Sequence, residues 1–199
     1  MSWWLRAHAV TGAAAAMVLC FAVAPLLGSS RLPVPSLFGG VSGGIPVPLV
    51  LPVLPAGALL YGLHRVPHAC EATAVRRTGW WSTGLLAAAC SAALLLGAAE
   101  QVWLDFPLAG AVARNTVGYL GFGLLVQRLL GAQYGPVAVA LVPLGCALLG
   151  TGAGGRPYPW AWPLLPGGSA PAWGTAVALL ATGAFAAFHT PKAHPAPSP

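Results

Sequence analysis

The chain alternates between long apolar runs and short polar stretches, and this alternation predicts six helices. Each run holds about twenty residues, enough for a helix rising about 1.5 Å per residue to cross the hydrocarbon core of a bilayer. We therefore expect an all-α fold, a polytopic transmembrane helical bundle of six spans. The predicted spans are residues 9–28, 45–63, 80–99, 107–130, 134–152 and 170–188. They form a single transmembrane domain over 1–188, followed by a polar, proline-rich tail, 189–199, that we expect to be disordered.

The first two apolar runs can each be interpreted in a second way. In the first, Ala22-Val23-Ala24 resembles a signal-peptide cleavage site, although Pro25 would follow the cut and the run is long for a signal peptide. In the second, every proline removes a helix N–H, so its first half should be kinked or extended and covered by protein rather than lipid. The alternative there is a helix that begins late and is too short to span. The prolines concerned are Pro46, Pro48, Pro52 and Pro55.

Composition supports the assignment to the membrane. Hydrophobic residues make up 57% of the chain and charged residues only 6%, against about 25% charged in soluble domains. The basic residues are scattered singly between apolar runs, so we read them as topology signals and expect membrane lipid, not nucleic acid, as a partner. Because cytoplasmic loops carry the excess of Lys and Arg, the arrangement of six spans that satisfies this rule has both termini in the cytoplasm. The inner set is then Arg6, Arg65, Arg76, Arg77, Arg128 and Lys192, and the outer set is Arg31, Arg114 and Arg156.

The fourth run carries charges inside an apolar segment. Five of its residues follow at spacings of four, three, four and three, which places them on one side of a helix; this fourth-span stripe is Arg114, Gly118, Gly121, Leu125 and Arg128. Its glycines would let a neighbouring helix come close, and the amide of Asn115 would form hydrogen bonds between helices. We expect a helix-contact face made of Asn115, Gly118, Gly121 and Leu125.

Arg114 lies inside the predicted span and therefore needs a partner. The nearest acids are Glu100, at the end of the third span, and Asp105, which is also placed to cap a helix beginning at Pro107. One interpretation is an outward-facing gate or a site for an anionic substrate group. The other is structural, with an arginine that reaches lipid phosphate or a salt bridge that joins the third and fourth spans.

Several kinds of chemistry find no support in the sequence. There is no GxxxxGK[ST], no HExxH, no Ser-His-acid set and no acid in the middle of a span, so we predict neither an enzyme, nor a cofactor, nor a proton-coupled carrier. His64, His68, Cys70 and Glu71 include metal-ligand residue types. Pro67 breaks the helix that a ligand pair at that spacing would need, and an ordinary loop is the default.

Three patches resemble small six-span bacterial permease proteins of the ABC-2 transporter kind. They are the basic loop around Glu71, the segment ARNTVGYLGFGLL, and RPYPWAWPLLP, in which Tyr158, Trp160 and Trp162 are typical of an aromatic belt. The resemblance implies a subunit without an ATPase of its own, working as a homodimer or heterodimer with a separate cytoplasmic ATP-binding subunit. That partner would dock on Glu71, Arg76 and Arg77.

The first functional hypothesis is thus a membrane permease subunit of an ABC-type exporter. It would move an apolar or amphipathic compound through a dimer seam lined by the fourth-span stripe. The alternative is a non-transporting membrane scaffold or self-protection protein that acts through a partner. A third hypothesis, an inverted-repeat carrier, rests only on matching prolines in the second and fifth spans.

Overall fold

A computed structural model describes residues 10–33, 44–64, 79–152 and 156–189. These residues form six α-helices, so the prediction of an all-α protein with one helix in each apolar run is confirmed. The helices are α1 (Val10–Leu26), α2 (Val53–His64), α3 (Gly79–Trp103), α4 (Ala109–Leu130), α5 (Tyr134–Leu149) and α6 (Ala170–His189). Two 3-10 turns, Val47–Leu49 and Trp162–Leu164, precede α2 and α6 respectively.

The first half of the proline-rich second run is not helical, as predicted, and its helix, Val53–His64, begins late and has only 12 residues, as the alternative interpretation had it. It begins with a short strand, β2 (Ile45–Pro46), paired antiparallel to β1 (Arg31–Leu32), continues as the first 3-10 turn and becomes helical only at Val53. Proline supplies no N–H, so the backbone before Val53 cannot complete helical hydrogen bonds. Pro48 and Pro52 are buried, which places this irregular backbone against protein.

The boundary between α3 and α4 differs from the prediction. The third helix does not end at Glu100 but continues to Trp103, and the fourth begins at Ala109 instead of Pro107. Asp105 is exposed, has a positive φ of 48° and does not cap α4, whose N-cap Leu108 has no side-chain hydrogen bond. The amides of Leu104 and Phe106 instead both bond the Glu100 carbonyl and close the turn.

Helix α4 is the centre of the bundle. It packs most extensively against α6 and also contacts α2, α3 and α5. Every residue from Ala111 to Gly121 is buried, although this stretch contains Arg114, Asn115 and Thr116. The most polar helix therefore lies where a soluble protein would place its most apolar one.

The surrounding helices show the opposite distribution. Two of them are long and apolar enough by length and composition to cross a membrane, namely Trp81–Trp103 of α3 and Ala170–Ala187 of α6. Most of each lies at the surface and exposes large apolar side chains; Leu95, Val102 and Trp103 of α3 and Phe185 of α6 are examples. The apolar helices α1 and α5 are shorter, as is the stretch Val47–Leu63.

Candidate functional site

Arg114 lies in a cage of main-chain carbonyl groups. Its side chain is 0% exposed. Nη1 donates to the carbonyl of Pro166 at 2.8 Å, and Nη2 donates to those of Leu165 at 2.9 Å and Pro163 at 3.4 Å. Nε and Nη2 also donate to Oδ1 of Asn115, at 3.3 and 3.1 Å. The guanidinium is thus held by neutral oxygens. One is the amide oxygen of Asn115, and the other three are main-chain carbonyls of residues 163–166.

Asn115 joins the two 3-10 turns to each other. Its Nδ2 donates to the carbonyl of Pro163 at 3.0 Å and to that of Leu49 at 3.3 Å. Each of these carbonyls lies three residues before a proline, Pro166 and Pro52, so the N–H that would bond it in a continuing 3-10 helix is missing. The prolines create unsatisfied acceptors, and the amide and guanidinium of α4 satisfy them.

Tyr119 and Trp162 extend the same cluster. The Tyr119 hydroxyl donates to the Leu49 carbonyl at 3.4 Å, and its ring lies 5.4 Å from the Trp162 ring at an interplanar angle of 59°. Trp162 is only 7% exposed, so its assignment to an aromatic belt is wrong. Gly118 leaves the space that the indole fills, because a methyl group there would overlap the ring. Trp160, by contrast, is 54% exposed.

The glycines of the predicted helix-contact face do allow close approach, as expected. A methyl group added at Gly121 would overlap the backbone of Leu179 and Leu180, and one added at Gly183 would overlap the Gly121 carbonyl. Helices α4 and α6 therefore cross with backbone near backbone. Leu125, at the far end of the face, is half-buried.

This burial also corrects the proposed dimer seam. The stripe was expected to line a seam between two subunits, but Gly118 and Gly121 are covered by Trp162 and α6 of the same chain. Arg114 is likewise enclosed by its own chain. The stripe from Arg114 to Gly121 is part of the interior of one subunit, so a dimer would have to form through other residues.

The prediction that Glu100 or Asp105 pairs with Arg114 is wrong. Ala109 and Ala113 form the side of α4 that faces α3, where they contact Gly97. Arg114 follows Ala113, which turns it about 100° around the helix, away from α3. Glu100 is 7% exposed, and its Oε2 has no hydrogen-bond partner among the described residues.

Another buried polar side chain, Gln127, lies towards the other end of α4. Gln127 donates from Nε2 to the carbonyls of Leu60, at 3.2 Å, and Ala132, at 3.1 Å. It thereby joins α2 and the turn after α4. Gln127, Tyr119 and Gly183 were not predicted from the sequence, although a polar residue inside an apolar run was an available signal for Gln127.

The predicted docking residues Glu71, Arg76 and Arg77 lie outside the described residues, as do His68 and Cys70. No three His, Cys, Asp or Glu side chains within the described ranges come together as a group that could hold a metal ion.

An apolar groove lies between α1, α2 and α3, away from the Arg114 cluster. Its volume is about 270 Å³, and its lining is almost entirely carbon. Its walls include Ala13 and Met17 of α1, Leu59 of α2, and Leu85 and Ala92 of α3.

The chain as a whole matches no family model, no curated protein and no solved structure. Its function must therefore be inferred from its own residues and contacts.

Proposed function

We propose that this protein is a multi-pass protein of the cell membrane with six spans and both termini cytoplasmic. The observation that carries the proposal is the inverted distribution of polarity, with Arg114 and Asn115 saturated by hydrogen bonds in the centre and apolar side chains exposed on α3 and α6. In lipid, backbone and side-chain polar groups must be satisfied inside the protein, whereas apolar groups lose nothing at the surface.

Within the membrane we propose the role of a permease-like subunit of an ABC-type exporter. It would move an apolar or amphipathic compound with energy from a separate cytoplasmic ATP-binding subunit, since the sequence contains no GxxxxGK[ST] to bind nucleotide phosphates. The groove between α1, α2 and α3 supports this role because it offers an apolar compound space inside the bundle. The partner would dock on the loop that contains Glu71, Arg76 and Arg77.

The Arg114 cluster would then close the outer end of the subunit. Two irregular segments, one before α2 and one before α6, are held against α4 by Asn115, and the second also by Arg114. Opening outward would require these hydrogen bonds to break together. A homodimer or heterodimer would form through another surface, since the fourth-span stripe is already covered.

The test is a pull-down of the tagged protein from mild detergent, with mass spectrometry of what copurifies. The variant replaces Glu71, Arg76 and Arg77 with Ala, and Arg156→Ala on the opposite side is the control. We expect a P-loop ATPase to copurify with the wild type and the control and to be lost from the triple variant. Recovery of the protein alone, or with a partner that is not an ATPase, would overturn the exporter proposal and favour a membrane scaffold or self-protection protein.

A further inference from the structure

The apolar groove runs along two helices that continue beyond it. Met17 and Val18 are the last groove residues of α1, and Leu96 is the last of α3. Glu100 follows Leu96 by one helical turn, on the same face of α3 as Ala89, Ala92 and Leu96. At about 1.5 Å per residue, Glu100 therefore lies about 6 Å along α3 beyond the last groove residue of that helix, on the face that lines the groove.

Glu100 is the only acid among the buried side chains of the described residues. It is more than nine-tenths buried, and its Oε2 has no hydrogen-bond partner there; the neutral amide oxygen Oε1 of Gln127 is the other buried side-chain oxygen in that condition. Arg114, the cation that the sequence predicted as its partner, is already bound by four oxygen atoms. A buried carboxylate without a partner is costly, so a cation brought by a ligand would be favoured beside it.

We propose that the groove and Glu100 together bind a single-chain amphipathic cation, such as a primary alkylammonium compound. The alkyl body lies in the groove against Met17, Leu85 and Ala92, and the ammonium group donates a hydrogen bond to Oε2 of Glu100. The charge of the carboxylate selects a cation over an anion. The carbon lining selects an apolar body over a polar one.

The size of the groove argues for one chain over two. An apolar cavity of about 150 Å³ holds a benzene molecule, so the groove, at about 270 Å³, has room for one alkyl chain of moderate length. A two-chain lipid would need a considerably larger volume. That this cation is the exported compound rests on the proposed function. The binding of the cation does not, because it requires no ATPase.

The test uses purified full-length protein in phosphatidylcholine nanodiscs and a dodecylamine photoprobe with a diazirine in its chain. Peptides labelled after illumination are mapped, and labelling is competed with unmodified dodecylamine or dodecanoic acid. We expect labelled peptides from α1 and α3, competition by the amine and none by the acid.

Two variants and matched controls make the test specific. Glu100→Gln should weaken competition by dodecylamine by about tenfold or more, whereas Asp105→Asn, at an exposed acid nearby, should not. Ala92→Phe, which fills the groove, should abolish labelling, whereas Leu95→Phe on the exposed side of α3 should leave it unchanged. A size-exclusion profile like that of the wild type shows that each variant is folded.

Equal competition by the amine and the acid, or an unchanged Glu100→Gln variant, would overturn the proposal. So would displacement of the probe by phosphatidylethanolamine added to the discs, because the occupant would then be a two-chain lipid. Failure here, with an ATPase still copurifying, refutes only the ligand site. Specific labelling without a copurifying ATPase refutes only the exporter.

Discussion

Arg114 and Glu100 are two charged residues buried in the same bundle, yet their surroundings are opposite. Arg114 donates to three carbonyls and to Asn115. Glu100 has a carboxylate oxygen with no partner in the described chain. Arg114 therefore stabilises the packing of the bundle, whereas Glu100 still has a carboxylate oxygen with which to bind a ligand.

The difference follows from the supply of donors and acceptors. The chain has 20 prolines, and each removes one backbone N–H while keeping its carbonyl. Acceptors are therefore in surplus in the irregular segments around Leu49 and Pro163. An arginine, with five N–H donors and no acceptor, finds partners there. An ionised carboxylate only accepts, and α3 has no free N–H to offer at Glu100.

The largest expected effect comes from Arg114→Ala. It would leave the Leu165 carbonyl and the Asn115 amide oxygen without a donor, and each buried acceptor left unsatisfied costs about 1–3 kcal/mol. The Pro163 and Pro166 carbonyls would keep the Asn115 amide group and the Ser169 N–H as donors. The loss approaches the total stability of a weakly stable domain, about 5 kcal/mol. Unfolding by titration with sodium dodecyl sulfate in mixed micelles would measure it.

The control is Arg156→Ala, which removes an exposed side chain and should change little. Arg114→Lys should be intermediate because lysine has three donors instead of five. Equal effects of Arg114→Ala and Arg156→Ala would contradict the central role of α4.

Trp162→Ala is expected to have the second largest effect. Trp162 positions the turn whose carbonyls bind Arg114, and removing a buried tryptophan costs about 3–5 kcal/mol. Trp160→Ala, at an exposed residue two positions earlier, should stay within about 0.5 kcal/mol. Thermal unfolding in mild detergent would separate the two. Similar melting temperatures would contradict the burial of Trp162.

Gly121→Ala should destabilise the protein by about 1–3 kcal/mol, because the added methyl group overlaps the backbone of α6. α6 follows the segment that encloses Arg114, so this change also loosens the cage. Gly174→Ala is the matched control, since nothing lies within 4 Å of the added methyl group. Alanine favours the helix there and should leave stability equal or slightly higher. The same loss at both glycines would show that close packing is not the cause.

Glu100→Gln is expected to have the smallest effect on stability, and, unlike the substitutions above, it should not destabilise the protein. The change removes a buried charge and breaks no hydrogen bond to Oε2, and a neutral unpaired group costs less than a charged one. The free energy of unfolding should stay equal to that of the wild type or rise. A loss comparable to that of Arg114→Ala would reveal a partner for Glu100 and would remove the contrast between the two residues.

The corrected predictions share a cause. An acid was expected to pair with Arg114 because opposite charges attract, and Glu100 and Asp105 were the acids nearest along the chain. Apart from the amide oxygen of the adjacent Asn115, the actual acceptors are carbonyls 49 to 52 residues away. Every residue has a carbonyl, so no residue type marks the ones that will be free. The prolines were the available signal, and they were read only as helix breaks.

The sequence by itself determined the number and approximate limits of the helices, the break before Val53 and the need to satisfy a buried arginine. These properties are local, since they depend on apolar run length, on missing N–H groups and on charge within a run. Only the tertiary structure decided that Trp162 turns inward, that Gly121 meets α6 and that Glu100 is left without a partner. Those outcomes depend on which helices become neighbours and how each is rotated about its axis. Contacts between segments far apart in the chain determine both.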